Sequence, residues 1–106
     1  MPKYLVTATY TAEGARGLAK EGGSTRRARV AEMCQQAGGA LESFYFAFGE
    51  TDVYSIVDLP DAATAAAISL TVTGSGAVRT SITPLLTVEE MDQAAKRSVS
   101  YRPPGG

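Results

Sequence analysis

The chain of 106 residues contains no histidine, no tryptophan and one cysteine, so its chemistry falls to arginines, tyrosines and carboxylates. The missing histidines remove the Ser-His-Asp triad, histidine-ligated haem and most zinc donor sets. Arg79 is a charged side chain in the interior of a strand-like segment. A guanidinium there binds a carboxylate or an enolate oxygen if it faces a ligand. On an open edge it is solvated or pairs with an acid of another chain. Tyr4, Tyr10, Tyr45 and Tyr54 carry polar tips on apolar bodies, and a buried tyrosine positions a phenolic substrate or donates to an oxyanion. Packing plus one hydroxyl bond is the commoner use. Tyr45 and Tyr54 are the better candidates because they fall on hairpin strands.

Asp52 opens a strand just after a turn. Burial would raise its pKa toward that of a general base, whereas a turn aspartate bonds nearby backbone amides. Asp58 carries the same two readings, and Glu42 falls at a solvent edge. Cys34 lies on an apolar stripe with no base to activate it, which reads as a buried inert thiol. Arg26, Arg27 and Arg29 follow a Gly22-Gly23-Ser24 helix start. They could attract an anion, although a solvated helix face is the plainer reading. The acids are scattered, so no metal site and no cofactor are expected. Gly74-Ser75-Gly76 lacks the lysine and the length of a phosphate loop.

Formal net charge is −1, with 44% hydrophobic and 20% charged residues. Such a chain is globular rather than disordered. It offers no basic footprint for nucleic acid. No segment approaches the roughly 18 apolar residues of a membrane span. The N-terminal residues lack signal-peptide anatomy, and a lone cysteine fits a reducing compartment, so a cytoplasmic protein is expected. At this length about 65% of the surface is buried on folding, enough for one thin core.

The elements that must position these residues follow from pattern. Lys3 to Tyr10 is β-branched and aromatic, a strand. Residues 12–21 permit a helix made short or irregular by Gly14 and Gly17. Ser24 is placed to cap a second helical segment, in which Val30, Met33, Cys34 and Ala37 form one apolar stripe. Gly38-Gly39 ends it. Ala40 to Phe48 and Val53 to Asp58 read as a β-hairpin. Asp61 caps a helix reaching about Thr73. Ala77 to Thr83 is a fourth strand, ended by Pro84. Thr87 and Glu90 form a capping box for a last helix to about Arg97. The order is the ferredoxin-like βαββαβ with four antiparallel strands, helices on one face and an extra C-terminal helix. Residues 1–97 make a single domain, and 98–106 a flexible or partner-bound tail.

A sheet with one wet face carries polar residues at alternate positions. Here one parity gives Leu41, Ser43, Tyr45 and Ala47, and the other Phe44, Phe46 and Phe48. In the next strand Val53, Ser55 and Val57 oppose Tyr54 and Ile56. Neither parity is charged in the strand interior, so both faces need cover. The chain's helices supply one cover, and a second copy, sheet against sheet, supplies the other. A homodimer or higher homo-oligomer with a barrel-like interior is expected.

Several segments extend this into a resemblance: Lys3-Tyr4-Leu5-Val6, Tyr10-Thr11-Ala12-Glu13-Gly14, Gly38-Gly39, Phe44-Tyr45-Phe46-Ala47-Phe48-Gly49, Asp52-Val53, Ile56-Val57-Asp58-Leu59-Pro60, Gly76-Ala77-Val78-Arg79-Thr80 and Thr83-Pro84-Leu85-Leu86-Thr87. Over nearly the whole chain this resembles the GYD domain family, small bacterial proteins of the dimeric α/β-barrel type. The motif that names the family is only partly present. Its aspartate stands as Asp52, and Thr51 takes the tyrosine's place. The resemblance implies the barrel architecture and little chemistry, because that architecture serves cofactor-free monooxygenases, lactone isomerases, haem enzymes and ligand sensors alike. The function expected first is a small-molecule binding module for an apolar or aromatic ligand, with Tyr4, Tyr45, Tyr54 and Arg79 as binding residues. The alternatives are a cofactor-free isomerase, cyclase or monooxygenase using Arg79 and a tyrosine, with Asp52 a further catalytic candidate, and a pure assembly module.

Overall fold

A computed structural model describes all 106 residues. Its elements are β1 (Lys3–Tyr10), α1 (Ala12–Glu21), α2 (Gly23–Gln36), β2 (Ala40–Phe46), β3 (Val53–Asp58), α3 (Ala62–Gly74), β4 (Val78–Leu85) and α4 (Val88–Lys96). The strands form one sheet in the order β2-β3-β1-β4. Every neighbouring pair is antiparallel. This is the ferredoxin-like α+β arrangement, with two consecutive helices in the first crossover.

Local chemistry sets most boundaries. The Thr11 hydroxyl accepts the Gly14 N–H and starts α1, which is regular through both glycines. Gly22, at φ +88°, ends α1 and leads directly into α2. That junction removes the capping role expected of Ser24, which lies inside α2. A residue with a Cβ would be strained at this φ, so the tight corner depends on glycine. The Asp61 carboxylate accepts the Thr64 N–H at 2.8 Å and the Thr64 hydroxyl at 2.7 Å. These two bonds cap α3 and hold the carboxyl below the usual aspartate range. The Thr87–Glu90 capping box opens α4, each side chain serving the other's backbone.

Two departures from the sequence pattern reshape the sheet. The β2–β3 register shifts between Leu41 and Ser43. This bulge puts Leu41 against the core with Phe44 and Phe46, away from Ser43 and Tyr45. A strict period of two does not survive one extra residue. The second departure is β4, which continues through Pro84 to Leu85. A proline is tolerated there because β4 is an edge strand, where an N–H can be missing on the open side.

Helices α1, α2 and α3 cover one face of the sheet. Beneath them Tyr4, Cys34, Val57, Leu59 and Ala65 form the buried core, flanked by Val6, Val30, Ala37, Leu41, Ile68 and Ile82. Leu59 has no exposed surface and Cys34 only 1%. The uncovered outer face carries Leu5, Thr7 and Thr9 from β1, Tyr54 and Ile56 from β3, Tyr45 from β2 and Arg79 from β4. At one end Lys3 bridges Glu42 at 2.6 Å and Asp58 at 2.9 Å. Helix α4 buries none of its side chains, and Val88 and Met91 on it are exposed. The radius of gyration is therefore 16.8 Å, against about 13 Å for a compact chain of this length.

Close backbone approach fixes two glycines. A Cβ on Gly39 would meet the Asp58 carbonyl, and one on Gly14 the Ala77 carbonyl. By contrast, a Cβ on Gly17 in α1 would meet nothing within 4 Å. Gly39→Ala is expected to lower stability by about 1–3 kcal/mol, as overpacking does. Gly17→Ala should raise it by roughly 0.5–1 kcal/mol through helix propensity. Urea unfolding of the two variants checks the opposite signs.

Candidate functional site

Between α2, α3 and the inner face of the sheet lies a cavity of about 330 Å³. Val6, Ala8 and Tyr10 of β1, with Val53 and Ser55 of β3, make its floor. Val30 and Met33 of α2 and Ile68 and Val72 of α3 form its roof. Phe44 lines it from β2, and Val78, Thr80 and Ile82 line it from β4. Twelve of its 17 lining residues are hydrophobic, and Arg26 is the one that is charged.

The polar groups in the wall differ in how far they are engaged. The Ser55 hydroxyl donates to the Val6 carbonyl at 3.1 Å, which satisfies a residue only 4% exposed. The Thr80 hydroxyl shares hydrogen bonds with Ser69 and Thr73. The Tyr10 hydroxyl and the Arg26 guanidinium make no hydrogen bond within the protein. Burial pushes the Tyr10 phenol upward, and the nearby Arg26 charge partly opposes that shift. Tyr10 is thus a protonated donor near neutral pH.

The tyrosines, arginine and aspartate singled out from the sequence separate between the two faces. Tyr4 is in the inner core and 5% exposed. Tyr45 and Tyr54 are direct cross-strand partners on the outer face, 70% and 46% exposed. Arg79 is also on that face, but β1 stands between β3 and its strand, and it opposes Thr9. The structure therefore brings Tyr45 and Tyr54 together and leaves Arg79 and Tyr4 apart from them. The cavity within one subunit lies on the helix-covered side, not on the outer face that carries Tyr45, Tyr54 and Arg79.

Asp52 has a structural position. Its carboxylate accepts the Tyr10 N–H at 2.9 Å. Its own N–H donates to the Ala8 carbonyl, and its carbonyl accepts the Ala47 N–H. One residue thus ties the β2–β3 hairpin to the end of β1. It lines a shallower groove with Phe46, Phe48 and Leu18, next to Tyr10 but outside the cavity. Cys34 is buried and free, and burial raises its thiol pKa, which suits a packing residue. No group of three or more acids and cysteines is placed to hold a metal ion.

Arg26 and Tyr10, which residue type alone does not single out, both line the cavity. The signal was present in the spacing. Arg26 sits four residues before Val30, so it continues the apolar stripe of α2 by one turn.

A four-stranded antiparallel sheet of this order, layered with helices on one face, defines a ferredoxin-like α+β protein. Residues 4–95 match the GYD domain model, and the chain belongs to that family. No curated protein and no solved structure matches it.

Asp52→Ala leaves the Tyr10 N–H without its partner and is expected to cost about 1–2 kcal/mol. Asp52→Asn keeps an acceptor oxygen and should cost less. Chemical denaturation of both variants measures the difference.

Proposed function

We propose that this GYD protein is a homodimeric binding module that holds one small apolar or aromatic molecule in each subunit. The supporting observation is the cavity between α2, α3 and the sheet, about 330 Å³ and mostly apolar. That volume is at the lower end of small-molecule sites, which run from about 300 to 1,000 Å³. At interior packing density it takes roughly a dozen non-hydrogen atoms.

Binding is favoured over turnover because the cavity wall contains no carboxylate, thiolate or histidine to act as a base. Its tyrosine is held in the protonated form, and Asp52 is engaged with backbone outside the cavity. An acid without a matching base supports orientation better than proton abstraction.

The dimer reading rests on the open sheet face. Leu5, Thr7, Tyr45, Tyr54 and Ile56 form an apolar and aromatic surface there, without helices above it. Packing two copies face to face removes this surface from water. It also places Tyr45, Tyr54 and Arg79 in the space between the sheets, where Arg79 pairs with an acceptor of the other copy or with a bound anion.

Light scattering of the purified chain at micromolar concentration is expected to give twice the subunit mass. Thr7→Arg, in the middle of the outer face, should shift the protein to monomers while far-UV circular dichroism is retained. A monomeric parent would overturn the dimer. For the cavity, native mass spectrometry of protein from its own host is expected to show a retained small molecule. Ala8→Phe, which fills the floor, should abolish that adduct without changing subunit stoichiometry.

A further inference from the structure

The charged group in the cavity wall says more about the occupant than the apolar lining does. Arg26 belongs to the inward stripe of α2, one turn before Val30. Its neighbours Arg27 and Arg29 on the same helix are exposed, whereas the Arg26 side chain keeps 33% of its surface. An arginine turned toward an apolar space loses hydration, which is costly unless an acceptor replaces the water. The protein supplies little in exchange. The nearest acid, Glu21, is 3.8 Å from the guanidinium and forms no hydrogen bond with it. No acid lines the cavity. Tyr10, whose hydroxyl makes no hydrogen bond within the protein, lines the same space, and its ionisation feels the Arg26 charge. Two donors that make no hydrogen bond within the protein, Tyr10 and Arg26, therefore line one mostly apolar chamber.

We infer that the cavity selects an apolar acid, a compact aromatic or aliphatic body carrying one carboxylate, with Arg26 binding the carboxylate and Tyr10 donating a second hydrogen bond. This inference rests on the cavity reading proposed above and specifies the class of ligand. A planar guanidinium accommodates both carboxylate oxygens in a two-pronged contact, a geometry that a neutral amide cannot return. Glu21 acts against the ligand at longer range. It keeps Arg26 oriented when the cavity is empty, and its removal strengthens acid binding.

The test uses two probes of nearly equal shape, 2-naphthoate and 2-naphthamide, titrated into the full chain by calorimetry at neutral pH. The wild type is expected to bind the acid about tenfold more tightly than the amide, the range of one charge-assisted contact. Arg26→Gln should remove that preference, with far-UV circular dichroism retained to show that the variant is folded. Arg26→Lys should retain part of the preference, and Glu21→Gln should increase it. Equal binding of both probes by the wild type overturns this inference and leaves the cavity reading standing. An acid preference that survives in Arg26→Gln likewise overturns it. Failure of both probes to bind at millimolar concentration overturns the cavity reading and this inference together.

Discussion

The pairing of β1 with a partner on each edge is the interaction on which the rest of the structure depends. β3 fixes its register from Lys3 to Ala8, and β4 fixes it from Lys3 to Tyr10. Because side chains alternate along a strand, these two registers decide every facing residue at once. Tyr4, Val6, Ala8 and Tyr10 turn under the helices, while Leu5, Thr7 and Thr9 turn outward. Asp52 secures the far end of the arrangement by taking the Tyr10 N–H, so the hairpin and β1 end together. A slip of one residue would move Tyr10 out of the cavity and Leu5 into the core.

Element types were largely legible in the residues, because their causes are local. The Asp61 cap and the Thr87–Glu90 capping box each act within one helical turn, and each is present. The hairpin followed from two strand-like runs around a short turn. Features that depend on partners distant in sequence were harder to read. Leu41 changed faces because a bulge against β3 adds a residue that the sequence does not mark. Pro84 looked like a stop, but it stays in the strand because of where β4 lies in the sheet. Ser24 had the chemistry of a cap, and Gly22 took the corner because only glycine meets its φ without strain.

The site was legible in its residue types and less so in its placement. Strand alternation correctly separated Val53, Ser55 and Val57 from Tyr54 and Ile56. It could not say which face would enclose space. That depended on how far α2 and α3 stand from the sheet, which is set by the bulk of their inward residues. The same stripe that brings Cys34 into the core brings Arg26 to the cavity wall one turn from Val30. A solvated helix face is the plainer reading of its charge, yet Arg26 keeps only 33% of its side-chain surface and stands at the rim of the cavity.

The two irregularities in the sheet also bear on how it can grow. An unbroken edge strand is a row of donors and acceptors that invites another strand, and then another. Here one margin is interrupted by the β2 bulge and the other by Pro84, which lacks an N–H. Neither margin offers a continuous template. Addition by ribbon extension is disfavoured at both sides. A face, unlike an edge, is used up once it is covered. The same features that spoil the regularity of the strands therefore disfavour open-ended growth along the sheet edges.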